Sequence, residues 1–295
     1  MSSSPGKWAE IAGQLVANDA AALRHWVQRR RHESPDVRIA LVPTMGALHA
    51  GHLALCDLAR KHADLVVMSI FVNPTQFAPH EDLGSYPRTL PSDCAATHGR
   101  GVDLVFAPDA ATMYPDGFST AVTVGGVSED FCALSRPHFF GGVALVVLKL
   151  LNLVGADVAV FGEKDWQQLQ VIRRMARDLD HPTAIVGAPL VRDVDGLALS
   201  SRNAYLDPAT RARALALPRA LQAMADAVAD GETDAATLVA GAKASIAAAG
   251  GRIDYVAIAE PTTLVRLERV HGPARVLAAV HFGSTRLIDN IALHD

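Results

Sequence analysis

Val37-Arg38-Ile39-Ala40-Leu41-Val42-Pro43-Thr44-Met45-Gly46-Ala47-Leu48-His49-Ala50-Gly51-His52 carries an apolar run into a tight turn and leaves it on two histidines. The run reads as a buried strand, and the segment from Gly51 onward as a helix. A helix start presents unpaired backbone N–H groups and the positive end of the helix dipole, so it welcomes polyphosphate. Gly51 removes a side chain where a ligand must lie against the backbone. His49 and His52, three residues apart, project from one helix face. That combination suits the phosphates of ATP during transfer at the α-phosphorus. A zinc half-site is the competing reading, but no third ligand stands at a convincing spacing.

Outward from this turn, apolar runs over 38–42, 65–72, 104–107, 158–161 and 183–186 alternate with helical patterns over 51–62, 90–100, 143–154 and 166–180. Near-continuous apolar strands separated by helices define a parallel sheet covered on both faces. Ligands in such sheets bind at the carboxyl ends of the strands. Three chemically rich segments, 43–52, 73–76 and 162–165, fall at such ends. Beyond about residue 190 an alanine-rich stretch over 209–249 reads as helix broken at Gly231. Short strands over 253–258, 275–281 and 285–288 follow as a small antiparallel sheet. The expected fold is α/β: a Rossmann-like parallel sheet domain over 1–190 and a smaller α+β lid domain over 191–295. At the amino end, residues 1–6 form a Ser-rich tail and 7–30 are predicted helical.

The composition narrows the classes. A chain of 295 residues that is 50% hydrophobic can bury a large core in two domains. A net charge of −4 and a pI near 6.3 give no case for nucleic acid. Cys56, Cys94 and Cys132 are too few and too scattered for a disulfide framework, which points to reduced thiols in the cytoplasm. No signal-peptide pattern is present. The longest apolar stretch, 143–151, is short and contains Lys149, so no membrane span is expected. Neither a Gly-x-x-x-x-Gly-Lys-Ser/Thr loop nor a Gly-x-Gly-x-x-Gly fingerprint follows the first strand, which removes P-loop kinases and dinucleotide dehydrogenases.

Three further clusters carry polar chemistry. Gly162-Glu163-Lys164-Asp165 joins a strand end to a helix. Glu163 and Asp165 there read equally well as capping acids, but Lys164 opposes the helix dipole unless an anion lies nearby. Ser200-Ser201-Arg202-Asn203 offers two hydroxyls and a guanidinium fork for phosphate oxygens, although alone it is an ordinary turn. Asn73, Gln76 and Gln168 are neutral amides suited to a hydroxyl and a carboxylate. Asp93, Asp103, Asp193 and Asp195 are open as magnesium recruiters; their pattern does not choose among them.

These motifs, VPTMGALHAGH (42–52), SIFVNPTQF (69–77), EDLGSYPRTLPSDC (81–94), VAVFGEKDWQQLQVIRRM (158–175), RDVDGLALSSRNAYLD (192–207) and TRLIDN (285–290), occur in an order and spacing that resembles the pantoate–β-alanine ligase family, from about residue 37 to the end. That family belongs to the His-x-Gly-His nucleotidyltransferases. The resemblance implies a cytoplasmic, magnesium-requiring homodimer. It also implies a two-step reaction, in which pantoate attacks the α-phosphorus of ATP and β-alanine then displaces AMP from the resulting adenylate. By motif, the resemblance places ATP on Met45, Gly46, Ala47, Leu48, His49, Ala50, Gly51, His52, Gly162, Glu163, Lys164, Asp165, Val191, Leu199, Ser200, Ser201 and Arg202. His52 resembles the family's acid, with His49 its companion. On the same resemblance, Lys164, Ser200, Ser201 and Arg202 would stabilise phosphate charge, and Asp165 would take the ribose hydroxyls. The resemblance likewise implies that Gln76 and Gln168 hold pantoate, with Asn73, Pro43 and Thr44 beside them. Three separate loops are thus expected to share one triphosphate. The family pattern Arg-Pro-x-His-Phe is broken: Phe139 stands at the histidine position and His138 one place earlier, while Ala133 replaces a glycine. The remaining alternatives are an adenylyltransferase for another small carboxylate or a phosphate acceptor, and a non-catalytic ATP-binding paralogue.

Overall fold

The computed structural model describes residues 6–78 and 81–294; residues 1–5 of the Ser-rich tail lie outside the described residues. In chain order the elements are β1 (Trp8–Ile11), β2 (Gln14–Ala17), α1 (Ala20–Glu33), β3 (Ile39–Thr44), α2 (Ala50–His62), β4 (Leu65–Ile70), α3 (Leu90–His98), β5 (Leu104–Phe106) and α4 (Ala110–Met113). They continue with α5 (Cys132–Ser135), α6 (Phe139–Val154), β6 (Val158–Gly162), α7 (Trp166–Asp178), β7 (Ala184–Ala188), α8 (Pro208–Ala214), α9 (Ala216–Ala229), α10 (Ala235–Ala248), β8 (Arg252–Ala259), β9 (Ala274–Phe282) and β10 (Thr285–His294).

Two compact units result. The first comprises the chain up to Val124 with His138–Gly162 and Val171–Ala188; the second comprises Gly125–Pro137, Glu163–Gln170 and the chain from Pro189 onward. Where the sequence suggests a single cut at 190/191, packing therefore groups two short earlier segments with the carboxyl-terminal part.

The first unit is built on a sheet ordered β1-β2-β5-β4-β3-β6-β7. From β2 to β7 every pairing is parallel. Ile39, Ala40, Leu41 and Val42 of β3 are fully buried. Each large aliphatic side chain so buried contributes roughly 1.5–3 kcal/mol. The chain winds from β3 through β4 to β5 on one side and returns to β6 and β7 on the other, so winding reverses at β3. The crevice at such a reversal is where open α/β sheets bind ligands, and the Thr44–His52 segment leaves β3 there.

The helix expected over 7–30 is corrected to a hairpin followed by α1. Ile11 pairs with Gln14 across a two-residue turn. Ala12 and Gly13 adopt φ of 51° and 78°, the left-handed pair of a hairpin turn. β2 then pairs with β5, which buries Val16 and Ala17. Helical propensity in the segment yields to an edge partner distant in sequence. Asp19 caps α1 by accepting from Ala22 N at 2.8 Å.

The second unit packs α8, α9 and α10 with an antiparallel sheet ordered β10-β9-β8. Its core includes Leu221, Ile246, Val276 and Val280, all fully buried. Gly231, at φ 103°, lies in the break between α9 and α10.

Candidate active site

Within the first unit the turn after β3 is shaped by backbone contacts. Thr44 Oγ1 donates to Ser69 O at 2.7 Å and accepts from Gly46 N at 3.3 Å. Gly46 and Ala47 are left-handed, at φ 82° and 51°, and the amides of Ala47 and Leu48 donate to the Asp93 carboxylate at 3.1 and 2.9 Å.

α2 begins at Ala50, so His49 is its N-cap and not its first exposed face. Gly51 N donates to His49 Nδ1 at 3.2 Å, and His49 N donates to His52 Nδ1 at 3.3 Å. The rings stand 4.1 Å apart between centroids. A ring nitrogen that accepts a backbone N–H carries no proton, so each neutral imidazole bears its proton on Nε2. Two N–H donors are thereby fixed beside a helix start, where a phosphate oxygen is favoured. Behind them Cys56 is buried, and burial pushes its thiol up to about 12; it stays a neutral packing group.

Asn73, expected to meet substrate, has both ends of its amide on protein partners. Its Nδ2 donates to Gln76 Oε1 at 2.8 Å and to Gly142 O at 3.1 Å. Its Oδ1 accepts from Tyr114 Oη at 2.8 Å and from Thr75 Oγ1 at 3.0 Å. Burial pushes the Tyr114 hydroxyl upward, which keeps it a donor at neutral pH. Because Gln76 accepts from Asn73 through Oε1, its NH2 end supplies the donors of that amide. α6 approaches this turn closely: a Cβ on Gly142 would lie 2.3 Å from Thr75 O. Glycine is required there by space. His138 precedes α6 as its N-cap residue without a side-chain capping bond. Phe139 meets the buried Phe140 edge-on, at 5.0 Å between centroids.

Lys164, Asp165, Gln168 and Ser200–Arg202 belong to the second unit. Glu163–Asp165 form a 3-10 turn leading into α7, and Lys164 Nζ lies 3.7 Å from Asp165 Oδ2. Asn290 of β10 donates to the carbonyls of both Glu163 and Lys164. Arg275 places its guanidinium 3.4 Å from the Trp166 ring centroid, a close cation–π stack. Trp166 Nε1 donates to Pro261 O at 2.8 Å. Gln167 is buried and holds the 125–133 segment, accepting from Cys132 N and donating to the carbonyls of Val127 and Asp130. Nothing in the local sequence marks these partners; only the Asp289-Asn290 pair stood within a motif.

Val191 and Leu199 are brought together by Leu199 N donating to Val191 O at 3.0 Å. Arg192 grips the buried Asp289 with two bonds, at 2.8 and 3.0 Å. Ser200 caps the turn Ser201–Tyr205 by accepting from Arg202 N, and Asn203 Nδ2 donates to Ala198 O. This orders the loop that carries Ser200, Ser201 and Arg202.

The four acids considered for magnesium all have protein partners. Asp193 and Asp195 pair with Arg211, Asp103 pairs with Arg60, and Asp93 holds the Ala47–Leu48 turn. No group of three or more metal-ligating side chains occurs among the described residues. Among the described residues no helix is long and apolar enough to cross a membrane.

A reversing parallel sheet, with a mutually capped histidine pair following the strand at which the winding reverses, places the chain among the His-x-Gly-His α/β enzymes. The chain belongs to the pantoate–β-alanine ligase family, whose profile matches residues 15–292. It is 56% identical over 254 residues to the pantothenate synthetase of Sphingopyxis alaskensis, covering 86% of this chain and 91% of that protein. It is 52% identical over 293 residues to that of Caulobacter vibrioides, covering 96% and 100%. The crystal structure of pantothenate synthetase from Thermus thermophilus superimposes with a TM-score of 0.90 at 45% identity, over 95% of this chain and 99% of that one. A Francisella tularensis pantoate–β-alanine ligase, solved with βγ-ATP and β-alanine, gives 0.79 at 30% identity over 97% and 98%. The activity is ligation of pantoate to β-alanine, and the alternatives of a different acceptor or a non-catalytic paralogue fall away.

Proposed function

We propose that ligation proceeds through pantoyl adenylate, with ATP held by Met45–His52, Gly162–Asp165, Val191 and Leu199–Arg202. The single observation that carries this reading is the reciprocal cap of His49 and His52, which fixes both Nε2–H groups as donors. Pantoate's carboxylate attacks the α-phosphorus, pyrophosphate departs, and the β-alanine amine then attacks the acyl carbon and releases AMP. The attacking group belongs to the substrate, so the protein contributes position and charge stabilisation. Lys164, Ser200, Ser201 and Arg202 stabilise charge developing on the phosphates, and Asp165 accepts from the ribose hydroxyls. Gln76 and Gln168 hold pantoate, with Pro43 and Thr44 forming the adjoining turn and Asn73 orienting Gln76.

Magnesium fits this reading as an ion carried on the triphosphate, since it keeps few protein ligands in nucleotide sites. Bound there it would neutralise phosphate charge. A cytoplasmic homodimer completes the proposal; three buried free cysteines are consistent with a reducing compartment. Pantoate-dependent exchange of labelled pyrophosphate into ATP tests the central step. Exchange without β-alanine is expected, and its absence from folded enzyme with magnesium would overturn the adenylate route.

A further inference from the structure

Asp93 stands in the first turn of α3, and its side chain is buried. Its carboxylate is directed at the turn that launches the histidine helix. Oδ2 accepts from Ala47 N at 3.1 Å and from Thr89 Oγ1 at 3.1 Å, while Oδ1 accepts from Leu48 N at 2.9 Å. Successive backbone N–H groups beside a left-handed pair form a concavity that favours an anion; in this chain the anion is a side chain 46 residues away. The fit is tight, because a Cβ on Gly46 would come within 3.0 Å of Asp93 Oδ2 and 3.1 Å of Ile70 Cγ2. Ala47 resists a left-handed backbone, because its Cβ crowds the following carbonyl. Something must hold it there. Leu48, whose amide Asp93 takes, immediately precedes His49, whose backbone and Nδ1 begin the reciprocal cap. The carboxylate therefore fixes the peptide from which the histidine pair starts.

We propose that Asp93 is the positioning residue of the histidine pair: its carboxylate locks the left-handed Gly46-Ala47 turn so that His49 and His52 meet the triphosphate in register. This rests on the reading that those histidines contact the phosphates. Both carboxylate oxygens of Asp93 are engaged by Ala47, Leu48 and Thr89, so its loss is expected to lower turnover without changing how pantoate or magnesium is held.

The test uses the full-length enzyme in pantoate-dependent pyrophosphate exchange, with thermal unfolding measured on every variant. In folded Asp93→Asn the turnover number is expected to fall by about thirty-fold or more, in keeping with the cost of ångström-scale misplacement. The KM for pantoate and the magnesium concentration for half-maximal rate should stay within about two-fold. Adding Ala47→Gly to Asp93→Asn should restore several-fold of the lost turnover, because glycine enters the left-handed region freely. Turnover within about three-fold of the parent, or activity recovered by excess magnesium, would overturn the proposal. Should Asp93→Asn fail to fold, Thr89→Val removes one of the three contacts. A fall of about three- to ten-fold then supports the role, and unchanged turnover overturns it. His52→Ala separates the two claims. Full turnover in that variant would sink the histidine reading, whereas its loss beside a normal Asp93→Asn would sink the Asp93 role alone.

Discussion

The side-chain amide of Asn290 bridges the carbonyl oxygens of Glu163 and Lys164, 2.9 Å from each. Its Oδ1 accepts from Arg275 Nη1 at 2.6 Å, and the same guanidinium lies over Trp166. Strand β10 thereby holds the turn that carries Lys164. Asn290→Ala leaves two carbonyls without this donor and should cost about 1–3 kcal/mol of stability. Turnover should fall roughly ten-fold as Lys164 loses its setting. Lys164→Ala alone should lower turnover about a hundred-fold, the usual effect of losing one preorganised donor. Combined, the two losses should add to less than their sum. Additive effects in a double-mutant cycle would show that Asn290 acts only on stability.

Capping by His49 and its proposed phosphate contact can be separated. Asparagine is among the best N-cap residues and offers an acceptor where His49 presents Nδ1. His49→Asn should therefore leave the unfolding midpoint nearly unchanged. Lacking the Nε2 donor, it should reduce pyrophosphate exchange by about a hundred-fold. A variant both stable and fully active would remove His49 from the phosphate site.

Tyr114 stands two hydrogen bonds behind Gln76, the amide proposed to hold pantoate. Its hydroxyl donates to Asn73, which donates to Gln76. Tyr114→Phe removes a bond worth about 1 kcal/mol and lets the Gln76 amide turn. The KM for pantoate should rise roughly five-fold, equivalent to that energy, while the KM for ATP holds. Steady-state kinetics with each substrate varied provides the check, and an equal effect on both constants would contradict the relay.

Acidification should destabilise the protein through two histidines. Burial holds His181 below its usual 6.5, and Thr183 N donates to its Nδ1 at 3.3 Å. His281 is likewise lowered by burial first, then by Arg252 and Arg286, with Asp254 opposing. Both favour the neutral form in the folded state, so the unfolded chain binds more protons below the ordinary histidine pKa. Their contribution is complete above pH 6.5 and is lost as pH falls from there through the lowered folded values. Urea midpoints measured between about pH 7.5 and 5 should decline, less steeply in His181→Gln. Parallel slopes in parent and variant would exclude His181 as a contributor.

The motifs are legible in the chain because each acts through its neighbours. The run Ile39–Val42 is apolar at every position and folds as a strand buried on both faces. Gly46 and the paired histidines announce a turn and a helix start within seven residues of one another. The amino-terminal hairpin was not legible. Ala20–Glu33 has helical periodicity, but residues 8–17 become strands only because β5 offers an edge to β2.

Local spacing thus dictated which backbone segments exist, which strand ends carry chemistry, and to which family the chain belongs. Packing alone chose the residues that hold those segments still: Asp93 beneath the Ala47–Leu48 turn, Asn290 on the Lys164 turn 126 positions away, and Tyr114 behind Asn73. The reason is physical. A hydrogen bond between distant residues leaves no periodic trace in either segment, since its geometry arises only when the chain has been folded and its donors have lost their water.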